Sequence, residues 1–196
     1  MNCPEYKVIQ GKISLLLSAP HVYAHRRPRL NMAYKQGEPL TDAIVEEVCR
    51  NIECFGIYSS KDIDYDPNFH KEKDNPYKQE IVEIVKTEKI KFVADIHGLS
   101  DEHLYDIGIY YPTKFLRSRK LAMKIKDSLG HGELRGINVS VLRLLDNNQE
   151  TITEFVASNL RIPAIQIEVA RYIREDESLR NSFVENLSKV LSRDFV

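Results

Sequence analysis

Three ionisable residues stand where apolar segments of the chain give way to turns: His21 after Ile13 to Ser18, His97 after Ile90 to Ile96, and Glu168 late in Pro163 to Val169. Imidazole nitrogen is a good zinc donor, and two histidines with one carboxylate leave a fourth tetrahedral position for water. A second carboxylate nearby could take that water's proton, and Glu168 is the candidate for this work. Other divalent ions also accept imidazole and carboxylate. Plainer roles compete with this one. A single histidine after a strand is usually satisfied by backbone, and Glu168 could pair with Arg171 or Arg161. Two histidines in equivalent places weaken the plain role, and a carboxylate is seldom buried without a partner. His25, His70, His103 and His131 fall in expected loops and read as solvated. Arg26, Arg27 and Arg29 form a basic loop that either faces water or holds an anionic substrate.

The elements that must position these residues follow from periodicity. Ile13 to Ser18 is too short for a helix and nearly continuous in apolar character, as a strand covered on both faces is. Ala19-Pro20-His21 ends it, because proline cannot continue a central ladder. Thr41 is the expected N-cap of a helix over 41–54, with Asp42 at its positive end and Ile44, Val48 and Ile52 on one stripe. A short strand over 55–58 and an irregular polar stretch over 62–75 come next. Pro76 opens a helix over 76–88. Ile90 to Ile96 is a second buried strand, with His97-Gly98 as its turn.

Residues 106–111 alternate weakly as a strand, and 113–129 form a helix capped by Thr113 and closed by Gly130. Strands over 137–145 and 163–169, a short helix over 151–159 and a last helix over 175–191 complete the order. Strands alternating with helices predict one α/β domain over 1–196, with a mostly parallel sheet and helices on both faces. In such sheets ligands bind beyond the carboxyl ends of the strands, which is where His21, His97 and Glu168 fall.

Composition excludes more than it assigns. The 196 residues carry 28 Lys+Arg against 29 Asp+Glu, a net charge of -1, which argues against a nucleic-acid binder. The basic helix face of Lys114, Arg117, Lys120 and Lys124 is most simply turned to water. No apolar run approaches the ~20 residues of a membrane span. Three cysteines without a C-x-x-C pair suggest neither a disulfide framework nor a cysteine zinc site. The expectation is a cytoplasmic protein with a small-molecule substrate, no nucleic-acid partner and no membrane; no residue pattern speaks to an oligomeric state.

The succession SAPH (Ser18 to His21), GEPLTD (Gly37 to Asp42), DPN (Asp66 to Asn68), DIHG (Asp95 to Gly98) and IQIEVAR (Ile165 to Arg171) resembles the N-formylglutamate amidohydrolase family. That family is similar in fold to zinc carboxypeptidases and aspartoacylases. The resemblance implies a zinc site from His21, His97 and a carboxylate between them, either Glu38 or Asp42. Glu38 is the better placed of the two, because it lies in the loop before the helix, where a ligand can turn towards a metal. Glu168 corresponds to the general base.

Two departures bear on substrate. Family enzymes acting on formylglutamate usually carry Asp-x-Asn-Arg, whose arginine holds a substrate carboxylate through a bidentate pair. Here Phe69 stands in its place, and Val22 replaces a small residue after the PH histidine. Arg27 is the substitute candidate for polarising a carbonyl, with Arg26 and Asn68 as candidates for binding substrate. The expected activity is zinc-dependent hydrolysis of the amide of an N-acyl amino acid, N-formyl included, or of a related small amide. A carboxypeptidase-type hydrolase and a non-catalytic small-ligand domain on the same fold are the alternatives.

Overall fold

The computed structural model describes residues 4–27, 34–112, 115–144 and 150–195. Seven strands form one sheet: β1 (Tyr6–Ile9), β2 (Ile13–Ala19), β3 (Cys54–Ser59), β4 (Phe92–Leu99), β5 (Ile107–Tyr111), β6 (Val139–Arg143) and β7 (Ala164–Ala170). Their order across the sheet is β1-β3-β2-β4-β7-β5-β6. The four central strands β3, β2, β4 and β7 run parallel. At one edge β1 is antiparallel to β3, and at the other β5 and β6 run together against β7.

The helices are α1 (Thr41–Ile52), α2 (Pro76–Thr87), α3 (Leu116–Leu129), α4 (Ile152–Phe155), α5 (Arg171–Glu175) and α6 (Glu177–Phe195). A π-helical turn, Val156–Leu160, continues α4. The central strands are sandwiched, which is why they read as unbroken apolar runs. On one face Leu15, Leu17, Phe92, Ala94, Ile96, Ile165 and Ile167 pack with α1, α3 and α6. On the other, Leu16, Val93 and Ala164 pack with α2 and α4 through Tyr77, Ile81 and Phe155. A single α/β layer structure with helices on both faces is therefore present as expected.

Several local expectations change. β1 has only four residues, Tyr6 to Ile9, and pairs at the sheet edge, so its short pattern carries little periodic signal. Thr41 is the first residue of α1, not its cap; the cap position belongs to Leu40, and the Thr41 hydroxyl donates to the Glu38 carbonyl at 2.8 Å. Thr113 lies outside the described residues, and α3 starts at Leu116. His97-Gly98 is no turn: β4 runs on through both to Leu99.

Candidate metal centre and its carboxylates

Alternation along the strands sends Ile96 into the α1/α3/α6 core and leaves Asp95 and His97 on the layer facing α2 and α4. In β7, Gln166 and Glu168 occupy the same face, in register with Asp95 and His97. His21 lies just beyond the end of β2, and its carbonyl accepts from the Glu38 N–H at 2.7 Å. That bond draws the loop before α1 back towards the strand ends.

The result is a compact group. One ligand atom from each of His21, Glu38 and His97 lies within 4.8 Å of the others. Glu38 Oε1 is 3.4 Å from His21 Nδ1, and Oε2 is 3.1 Å from His97 Nδ1. Gly98 N–H donates to Oε2 at 2.9 Å. The approach is close: an added Cβ at Gly98 would stand 3.1 Å from Glu38 Cβ and press on it. Asp42, the alternative ligand in sequence, sits in the first turn of α1 and is not part of the group.

The far nitrogen of each histidine is fixed by a buried carboxylate. His21 Nε2 is 2.9 Å from Asp66 Oδ1, and His97 Nε2 is 2.8 Å from Asp95 Oδ2. Such carboxylate–histidine pairs select the tautomer that leaves Nδ1 as donor to a metal. His21 Nδ1 is buried and has no hydrogen-bond partner among the described residues. An unpaired buried nitrogen facing a carboxylate and a second imidazole is the arrangement a divalent ion would satisfy. The donor set of two imidazoles and one carboxylate therefore fits zinc.

His21, His25 and Asp66 form a second close group. Asp66 Oδ2, however, already accepts from Arg27 Nε at 2.6 Å, so a guanidinium occupies the place of a cation. His25 was expected in solvent, yet it is fully buried and stacks on His21 with ring centroids 3.9 Å apart. The reason is tertiary: backbone bridges to Lys35 and Ile63 fold its segment over the site. Burial and the neighbouring His21 lower its pKa to about 3, keeping it neutral.

Electrostatics agree with the geometry. Burial opposes ionisation throughout the cluster, but opposite charges prevail. Burial would raise the Glu38 pKa, but His97 and His21 hold it well below the ordinary value. Burial would lower the His97 pKa, but Asp95 and Glu38 raise it, and Glu38 and Asp66 do the same for His21. Asp66 is likewise depressed despite burial, by His21 and then Arg27 and His25.

The remaining candidates divide. Glu168 lies beside His97 in register, and its Oε1 accepts from Gln166 Nε2 at 2.8 Å. Tyr110 also lies close: after burial and the Tyr105 hydroxyl, Glu168 pushes its phenol up. Arg27 is turned onto Asp66 behind His21, while Arg26 is exposed and its backbone N–H donates to Ile63. Both ends of the Asn68 amide are engaged: Oδ1 accepts from Ile152 N–H at 2.8 Å, and Nδ2 is 3.1 Å from His97 Nε2. Asn68 is thus buried beside His97. Asp66 and Asp95 were legible only as motif letters, and Gln166 only as an alternating polar residue in a strand. His25 gave no signal in sequence.

Fold and site together define an α/β protein with a mostly parallel seven-stranded sheet and a His–Glu–His group at the carboxyl ends of its parallel strands. Solved structures place it among known proteins. Gene product Atu2144 from Agrobacterium tumefaciens superposes with a TM-score of 0.65 at 14% identity, covering 97% of this chain and 94% of that one. The succinylglutamate desuccinylase from Chromobacterium violaceum gives 0.63 at 12%, covering 97% and 68%. A metallo-carboxypeptidase from Burkholderia cenocepacia gives 0.53 at 9%, covering 97% and 64%. N-acetylmuramoyl-L-alanine amidases share the fold as well. No protein-family model matches the sequence, and no curated protein matches it. The likeness is one of fold, and the neighbours include hydrolases of amide and peptide bonds.

Proposed function

We propose that this chain is a metal-dependent amidohydrolase of the N-formylglutamate amidohydrolase type, acting in the cytoplasm on an N-acyl amino acid, N-formyl included, or a related small amide. His21, Glu38 and His97 would hold a zinc ion. The observation that carries this reading is the buried Nδ1 of His21, which has no hydrogen-bond partner among the described residues and faces Glu38 and His97 while Asp66 holds the opposite side of the ring. A zinc ion held by these residues would supply a water acidic enough to ionise near neutral pH, at a pKa of about 7, and positive charge for a developing oxyanion.

This chain's residues supply the rest. Gln166 fixes the Glu168 carboxylate by one oxygen, beside His97 on the α2/α4 face of the sheet, where Glu168 is half-buried. From that place Glu168 takes a proton from the attacking water and returns it to the leaving nitrogen. Asp66 and Asp95 keep both imidazoles in the tautomer that presents Nδ1. Arg27 neutralises Asp66 through Nε at 2.6 Å. Phe69 stands where the resemblance places an arginine that clamps a substrate carboxylate, so the reading rests on the amide and on no carboxylate contact at this position.

The test is Glu168→Gln, assayed with a panel of N-acyl amino acids and short peptides, with and without chelator. We expect full zinc content and a loss of turnover of about 10²–10⁴-fold. Wild-type turnover in the variant would remove Glu168 from the mechanism. Cleavage of peptides in preference to acyl amino acids would favour the carboxypeptidase-type alternative. A protein that takes up no stoichiometric zinc would be a small-ligand domain on the same fold.

A further inference from the structure

Glu38 reaches His97 from a loop, and the backbone of that loop is strained. Leu40, two residues on, has a φ of 68°, a left-handed conformation that residues with a Cβ rarely adopt. Helix α1 begins at the next residue, with no side-chain cap among the described residues. Conformations of this kind persist where surrounding contacts over-determine them. Two such contacts are local: the Glu38 N–H to the His21 carbonyl, and the Thr41 hydroxyl to the Glu38 carbonyl.

The third comes from far along the chain. Arg174, in α5 directly after β7, donates from Nη1 to the Pro39 carbonyl. Its Nε donates to the Val169 carbonyl at 3.0 Å, one residue after Glu168. Its guanidinium also lies against Gly98, where an added Cβ would stand 2.8 Å from Nη2. Arg174 is only 4% exposed, and no carboxylate forms an ion pair with it among the described residues. Burial lowers its pKa, and the charge of Glu38 is the largest influence opposing that. A buried arginine spanning carbonyls of two segments is costly unless its planar fork is needed in that position.

We propose that Arg174 is the positioning residue for the metal ligand Glu38, locking the ligand loop to the strand ends that carry His97 and Glu168. It rests on the metal site of the reading above, and only on that part of it. Lysine keeps the charge but can reach one carbonyl at a time, so the fork itself can be tested.

The experiment measures Zn²⁺ affinity by chelator competition, and the visible spectrum of the Co²⁺-loaded protein, for wild type, Arg174→Lys, Arg174→Met and Glu38→Gln. Outer-shell partners of metal ligands typically change affinity by about 10–100-fold. We expect about tenfold weaker binding for Arg174→Lys and about a hundredfold for Arg174→Met, with the Co²⁺ spectrum moving towards that of Glu38→Gln. A merely structural arginine would lower the urea midpoint and leave both readouts unchanged. Folded variants with wild-type Zn²⁺ affinity and Co²⁺ spectrum would overturn the proposal, as would failure of both variants to fold. A wild type that binds no Zn²⁺ would instead remove the metal site itself, and this inference with it.

Discussion

Replacing Asp66 by Asn removes one charge and almost no volume from a carboxylate that solvent does not reach. Its Oδ1 accepts from His21 Nε2 at 2.9 Å and from Asn68 N–H at 2.8 Å; its Oδ2 accepts from Arg27 Nε at 2.6 Å. An amide in the same rotamer can keep the first two bonds but turns its NH₂ against the Arg27 N–H, donor against donor. Removing one partner of a buried ion pair costs about 3–5 kcal/mol. The Arg27 side chain is 19% exposed, so water recovers part of that loss, and about 3 kcal/mol is the expected cost. In a chain of this length each kcal/mol moves Tm by about 2–4 °C, which gives a fall of about 6–12 °C. The assay is thermal or urea unfolding of the metal-free protein, in a cycle with Arg27→Met. In the Arg27→Met background the same substitution should cost much less, because no guanidinium remains to be stranded. An equal cost in both backgrounds, or a Tm change under about 2 °C, would refute the account of Asp66 as the shared partner of Arg27 and His21.

Three further outcomes follow from the same geometry. Gly98→Ala should leave the sheet intact but press on Glu38 and Arg174, costing about 1–3 kcal/mol and weakening Zn²⁺ binding; chelator competition reads this directly. The depressed pKa of Asp66 gives stability that is full above the unfolded aspartate value of about 3.9 and lost as pH falls below it. The raised pKa values of His21 and His97 act in the opposite sense: in metal-free protein their contribution is full below about 6.5 and lost as pH rises through the folded values. Metal-free Tm should therefore decline towards alkaline as well as acid pH, and a Tm rising steadily from pH 6 to pH 9 would contradict the pairing. Because both imidazoles must be neutral to hold a metal, Zn²⁺ should bind more tightly as pH rises and release protons, measurable by titration calorimetry in two buffers of different ionisation enthalpy.

Much of the architecture was written in local pattern. β2, β4 and β7 are legible as short apolar runs because helices cover both faces of the sheet, and α1 and α2 because a helix with one buried stripe repeats near every fourth residue. His21 and His97 were visible for the same reason, as polar residues where such runs break. Glu38 was favoured over Asp42 from its place in the loop before the helix, but local sequence alone does not show which side chain turns back.

Only the tertiary structure decided that question, through the Glu38 N–H bond to His21 and the bare backbone of Gly98. It also buried His25, engaged both ends of Asn68 and brought Arg174 to a loop 135 residues earlier in the chain. The physical reason is the range of the forces. Periodicity records which face of an element is apolar, a property of neighbouring residues along the chain. Whether a buried polar atom is satisfied depends on partners supplied by other segments, and those meet only when the sheet has formed.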